Sequence, residues 1–168
     1  LPARRRNDPA REMERALKAG EFVPFFQPIV DIATGKLLGA EVLMRRRKPD
    51  GSLVLPGAFI PLLESSGLIR EATHFLMRRV LDEVGTIYAS RPRLRIAFNL
   101  AAAHFADESI VREMREIFQD SPIRFSQLVL EVTESVLMKD LRVPLDILTR
   151  LRLKRVGLSI DDFGTGHS

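Results

Sequence analysis

The 168 residues suffice for one domain with a sizeable core, and 45% hydrophobic with 29% charged residues is an ordinary globular balance. No run approaches the roughly 18 apolar residues of a membrane span, no signal-peptide pattern opens the chain, and the lack of cysteine excludes a disulfide framework or thiolate metal site. Much of the excess behind the net charge of +4 sits in Arg4-Arg5-Arg6 and Arg45-Arg46-Arg47-Lys48; without interleaved aromatics or a familiar module, neither run reads as an interface for a nucleic acid polymer.

Residues 1–10 lack periodicity, contain two prolines and read as the tail of a linker, with a sensor or membrane domain as the kind of module expected upstream. Arg11 to Lys18 suits a short helix with Met13, Ala16 and Leu17 on one side, stopped at Gly20. The expected division is therefore 1–19 as linker and lead-in helix and 20–168 as the domain. Phe22 to Ile32 reads as a strand, Ala33-Thr34-Gly35-Lys36 as a turn, and Leu37 to Met44 as a second strand. So short a connection joins only antiparallel neighbours. After Pro56, residues 57–66 and 69–88 have helical character, and the stretch Arg45 to Lys48 reads as half solvated loop. The pattern then alternates: strand at Leu94–Leu100, helix at Asp107–Phe118, strand at Leu128–Val132, helix at Val143–Leu153, strand at Val156–Ile160.

Such alternation implies right-handed crossovers and a parallel sheet, whose ligands sit at the carboxyl ends of the strands. The chemistry-bearing residues fall there. Glu41 and Arg45 share one side of the second strand, Asn99 ends the third, Glu131 ends the fourth with Glu134 three residues on, and the fifth runs into Asp161-Asp162. Carboxylates gathered in one pocket repel one another unless a cation sits among them, and oxygen donors of this kind suit Mg²⁺ or Mn²⁺ better than Zn²⁺. Adjacent aspartates can reach two ions about 4 Å apart, as in two-metal phosphoester hydrolysis. Arg45 could clamp a phosphate with its fork of donors. Each residue alone has a duller reading: a carboxylate at a strand end is more often a cap or solvated, and Asn99 could simply cap a helix. Asp161-Asp162 followed by Phe163-Gly164-Thr165-Gly166 is more specific, because the glycines permit the close backbone approach of a ligand loop.

These motifs, taken in order, resemble EAL domains. The resemblance rests on Phe26-Gln27-Pro28-Ile29-Val30-Asp31, Thr34-Gly35, Gly39-Ala40-Glu41-Val42-Leu43-Met44-Arg45, Pro56 with Phe59-Ile60-Pro61, Glu64 and Gly67-Leu68-Ile69. It continues through Phe98-Asn99-Leu100, Leu130-Glu131-Val132-Thr133-Glu134-Ser135 and the loop after Asp161-Asp162, covering roughly residues 20–168. It implies a (β/α)8 TIM-barrel-like α/β fold with an antiparallel first strand, incomplete in this chain, and hydrolysis of cyclic di-GMP to linear pGpG with Mg²⁺ or Mn²⁺ in bacterial signalling. By position, Glu41, Asn99, Glu131, Asp161 and Asp162 resemble metal ligands, with Glu41, Asp161 and Asp162 closest to the chemistry. Gln27, Leu43 and Arg45 resemble dinucleotide contacts. Glu134 resembles the residue that steadies the loop through Phe163 to His167, a loop tied in the family to homodimers. A cytoplasmic setting is implied as well.

Three departures stand out. Val42 replaces the usual alanine of the name motif, and His167 stands where tyrosine is frequent. The sequence stops at Ser168, before the family's later lysine, glutamate, aspartate and glutamine; a barrel left open there has an apolar edge, so a longer parent protein is expected. The enzyme reading competes with a catalytically inactive receptor for cyclic di-GMP or a protein-interaction module. All five metal ligands that the sequence can display are present, which favours the enzyme.

Overall fold

A computed structural model of the chain describes residues 8–133 and 142–161. In chain order the elements are α1 (Pro9–Lys18), β1 (Phe22–Val30), β2 (Leu37–Arg47), β3 (Leu53–Val54), α2 (Ile60–Ser65), α3 (Ile69–Ser90), β4 (Arg95–Leu100), α4 (Ser109–Phe118), β5 (Leu128–Thr133), α5 (Arg142–Leu153) and β6 (Gly157–Asp161). The sheet order is β1-β2-β4-β5-β6, with β3 paired to β2. The strands β1, β2 and β3 pair antiparallel, whereas β2, β4, β5 and β6 run parallel. All five of these helices feed one core. The architecture is part of a (β/α)-barrel with an inverted first strand.

From β4 onward, and for α3, the predicted elements lie within two residues of those observed. Four expectations change. Residue 9 already belongs to α1: the Asp8 carboxylate caps it by accepting from the Ala10 N–H at 3.1 Å, and Pro9 suits a first-turn position. The first strand stops at Val30 because the Asp31 carboxylate accepts from the N–H (2.7 Å) and Oγ1 (2.8 Å) of Thr34, folding the turn back. The helix expected over 57–66 is a 3₁₀ turn at Pro56–Ala58 followed by the short α2. The fourth concerns Arg46.

Strand alternation divides the sheet. Val42 and Met44 on β2, Ile96, Phe98 and Leu100 on β4, and Leu128, Leu130 and Val132 on β5 are buried against Leu76, Met77 and Val80 of α3, Met114 of α4 and Leu151 of α5. Burying each large side chain contributes about 1.5–3 kcal/mol, so this helix-facing layer dominates stability. Val42, the departure from the name motif, fills a place in this layer and points away from the polar face.

Arg46 shares the buried side of β2. Its Nη1 meets Glu12 Oε1 at 2.7 Å and its Nε meets Glu21 Oε2 at 2.8 Å, pinning α1 to the sheet. Of a run expected to be half solvated loop, Arg46 is 8% exposed and β2 continues to Arg47 by pairing with β3, which leaves exposed Lys48 beyond the strand.

Gln127 is the other polar keystone. Its Nε2 donates to the carbonyls of Tyr88 (3.1 Å), Arg91 (3.2 Å) and Leu94 (3.2 Å), and its Oε1 accepts from the Arg124 N–H at 3.1 Å. One buried amide thus closes the end of α3 onto the entry to β5. Gln127→Leu strands these groups and is expected to cost about 2–3 kcal/mol, read as a lower urea midpoint with an unchanged slope.

Candidate active site

The face of the sheet away from the helices carries the polar residues. Across the β1–β2 hairpin, Gln27 lies opposite Glu41, Phe25 opposite Leu43 and Val23 opposite Arg45. Along the parallel strands, Glu41 is level with Ala97, Asn99 with Glu131, Glu131 with Ser159, and Thr133 with Asp161. The donor positions therefore climb two residues from β2 to β4 and β5, and two more to β6. Each step is about 6.6 Å along the strand, the kind of stagger that closing a barrel requires.

One contact bridges the first step. Asn99 Nδ2 donates to Glu41 Oε1 at 2.8 Å, across 58 residues of sequence. Spending the N–H there leaves Asn99 Oδ1 and the second Glu41 oxygen as electron-pair donors on the same side. Glu131, half-buried, sits beside Asn99 in register. The structure thus brings Glu41 and Asn99 into contact, with Glu131 on the adjoining strand. Asp161 is placed by its backbone only, and Asp162, Glu134 and the loop from Phe163 to His167 lie outside the described residues.

Arg45 projects two positions beyond Leu43 on this face. Its guanidinium lies over the Phe25 ring, 5.8 Å from the centroid, and its Nη1 donates to its neighbour Met44 O at 2.9 Å. It meets no carboxylate among the described residues. Phe25 was missed as a site residue; only the hairpin register, which the Asp31–Thr34 turn sets, places it beneath Arg45. Beside Leu43 and Asn99, a mostly apolar cavity of about 270 Å³ opens between α2, α3 and the upper ends of β2 and β4, with Glu64 as its charged member.

Directly after Asn99, the chain turns through a 3₁₀ segment at Ala102–Phe105 that is anchored from within. His104 is fully buried, and because the Ala101 carbonyl 3.0 Å from its Nδ1 can only accept, Nδ1 carries the proton. Its Nε2 has no hydrogen-bond partner among the described residues, and its ring meets His74 edge-on with centroids 6.1 Å apart. His74 Nε2 lies 3.3 Å from Glu113 Oε2 without hydrogen-bond geometry, while Arg70 pairs with Glu113 at 2.8 Å. Desolvation pushes His104 down to about 4 and also lowers His74. Because the unfolded histidine protonates near 6.5, stability from His104 is complete above that pH and lost as pH falls toward 4, by on the order of 3 kcal/mol. Denaturant titrations should show His104→Leu losing less stability than wild type between pH 7 and 4.5; parallel losses would contradict this.

The donor set fits a hard cation: two carboxylates and an amide oxygen, without thiolate or imidazole. Among the described residues no three His, Asp or Glu side chains lie at metal-ligating separation. The described part of the set is therefore Glu41, Asn99 and Glu131, with Asp161 contributing a backbone position.

Known proteins resemble this chain along most of its length. The family model described as "EAL domain" matches residues 10–168. The chain is 38% identical over 164 residues to "Probable cyclic di-GMP phosphodiesterase PdeG" of Escherichia coli K12, covering 95% of this chain and 32% of that protein. It is 36% identical over 158 residues to "Cyclic di-GMP phosphodiesterase NbdA" of Pseudomonas aeruginosa, covering 94% of this chain and 20% of that protein. The chain thus spans about a third or less of these relatives. The solved structure "PaMucR Phosphodiesterase, c-di-GMP complex" superposes with a TM-score of 0.86 at 35% identity, over 95% of this chain and 65% of that one. With the antiparallel hairpin and the parallel strands in place and a family model matching residues 10–168, the chain belongs to the EAL domain family.

Proposed function

We propose that this chain supplies the cation-holding and phosphate-binding part of a phosphodiesterase that opens cyclic di-GMP to linear pGpG. The observation that carries this reading is the Asn99–Glu41 hydrogen bond, with Glu131 level with Asn99, at the carboxyl ends of parallel strands. The relatives named as cyclic di-GMP phosphodiesterases, and the solved relative in complex with that nucleotide, support the choice of substrate.

In this reading Glu41, Asn99, Glu131, Asp161 and Asp162 hold Mg²⁺ or Mn²⁺, most simply as two ions. When bound, such ions lower the pKa of a water and offset charge developing on the phosphate. Water adds its oxygen to phosphorus, the bond to the ribose 3′ oxygen breaks, and that oxygen takes up a proton, giving a linear dinucleotide. The Asn99 amide holds the Glu41 carboxylate in one orientation, so the site is partly organised before substrate arrives. Gln27, Leu43 and Arg45 line the neighbouring strip and contact the dinucleotide, Arg45 gripping a phosphate. Glu134 steadies the loop from Phe163 to His167. The same reading takes the domain to work as a cytoplasmic homodimer below an upstream sensor or membrane domain.

Arg45→Ala is expected to weaken cyclic di-GMP binding by about 1.5–3 kcal/mol in calorimetry, because one charge-assisted hydrogen-bonding group is lost. Unchanged affinity would return Arg45 to a stacking role on Phe25. The cation sites are tested by titrating Mn²⁺ into the full-length protein and following free Mn²⁺ by electron paramagnetic resonance. Asn99→Ala should weaken uptake about 10–100-fold, and equal uptake by wild type and variant would overturn the assigned donor set.

A further inference from the structure

The end of the sheet opposite the candidate active site is strongly basic. Four turns lead into parallel strands there: residues 31–36 into β2, 91–94 into β4, 119–127 into β5 and 154–156 into β6. They carry six basic residues (Lys36, Arg91, Arg93, Arg124, Lys154, Arg155) against Asp31 and Asp120, a formal excess equal to the net +4 of the whole chain. The Asp31 carboxylate is moreover engaged by Thr34. None of the six cations forms an ion pair among the described residues, whereas Arg11, Arg70, Arg79, Arg112 and Arg150 of the helices do.

Aliphatic groups protrude from the same end. Ile32 at the hairpin tip is 100% exposed, and Leu153, next to Lys154 and Arg155, is 80% exposed. Lys36, Leu37 and Leu38 share a groove of about 500 Å³ with Arg91 and Arg93, so the charges and the apolar surface adjoin. Five strands at about 4.8 Å spacing make this edge on the order of 20 Å wide, enough for several lipid headgroups.

We propose that this face docks on an anionic phospholipid bilayer. Cations paired with protruding aliphatics match a charged headgroup layer above an acyl boundary. A nucleic acid polymer would use the cations, but it offers nothing for a fully exposed isoleucine, and the aromatic in these turns, Phe125, packs against Phe118 and the core instead of forming a stacking surface. Docked this way, the carboxyl ends of the strands face away from the bilayer and stay open to a soluble ligand.

The test is co-sedimentation of the full-length protein with vesicles of phosphatidylcholine with or without phosphatidylglycerol. Binding should require the anionic lipid and weaken as salt rises from about 0.1 to 1 M, where the screening length shrinks from about 10 to 3 Å. R91Q/R93Q should lower partitioning roughly 25-fold, since each cation near the surface contributes about fivefold. The double variant R78Q/R112Q, equal in charge change but on exposed helix positions, should bind within about twofold of wild type. Circular dichroism confirms that each variant is folded. Absence of binding by folded protein, equal binding to pure phosphatidylcholine, or equal losses in the two double variants would overturn the proposal. So would stripping of the protein from vesicles by duplex DNA at matched phosphate, which would make the face a nucleic-acid surface.

Discussion

Glu41→Gln in the full-length protein is expected to lower metal-dependent hydrolysis of cyclic di-GMP roughly 100-fold or more, with little change in thermal stability. The substitution keeps the side chain's length and an oxygen that can still accept from Asn99 Nδ2, so the link between β2 and β4 survives. What disappears is one negative charge on a face where carboxylates from separate strands gather, and with it the anionic donor that a hard cation prefers. Glu41 is half-buried rather than sealed, so the fold does not depend on its ionisation. Initial rates measured over a range of Mn²⁺ separate the two possible losses. A rate restored at high metal assigns Glu41 to cation affinity; a rate that stays low assigns it to the chemical step. Activity within about threefold of wild type at every metal concentration would remove Glu41 from the site.

Arg46→Met is expected to be the most damaging substitution for stability, at about 3–5 kcal/mol, because it leaves buried carboxylate without its cation. Glu12 is one-third exposed and can turn toward water, whereas the side chain of Glu21 is 13% exposed and cannot. For a chain of this size the loss corresponds to a melting point lower by roughly 10 °C. The damage should concentrate at α1, since Arg46 is its charged tie to β2, while Met13, Ala16 and Leu17 hold its apolar side. Limited proteolysis should therefore cut the variant first near residues 8–20. Adding Glu21→Gln should recover part of the loss by removing the stranded charge. A variant as stable as wild type would mean that Arg46 and its partners reach solvent.

How far the sequence foretold this molecule varies by kind of feature. Local chemistry was readable. The Ala33-Thr34-Gly35-Lys36 turn announced a hairpin, and alternating apolar strands and amphipathic helices announced parallel crossovers, because each signal lies within a dozen residues. The gathering of Glu41, Asn99 and Glu131 on one face was also legible, since parallel strands deliver their carboxyl ends to one side. Contacts that depend on register were not. The Asn99–Glu41 hydrogen bond needs a two-residue stagger between β2 and β4 that no local motif encodes. Arg45 and Arg46 look alike in a basic run, yet strand parity sends one over Phe25 and the other into the core against Glu12 and Glu21. Gln127 and His104 escaped notice for a similar reason: a lone polar residue gains its meaning from carbonyls and rings that the fold supplies from elsewhere.

In the proposed function, oxygen donors on the open face of this sheet hold divalent cations that drive hydrolysis of cyclic di-GMP. Chromatographic separation of nucleotides after incubating the full-length protein with cyclic di-GMP tests it most directly, with Mn²⁺ or Mg²⁺ in one series and EDTA in another. Linear pGpG should accumulate with metal, be absent with EDTA and return when metal is restored. Equal pGpG in EDTA, or cyclic di-GMP recovered intact after binding in the presence of metal, would contradict the claim, the latter outcome making the domain a receptor.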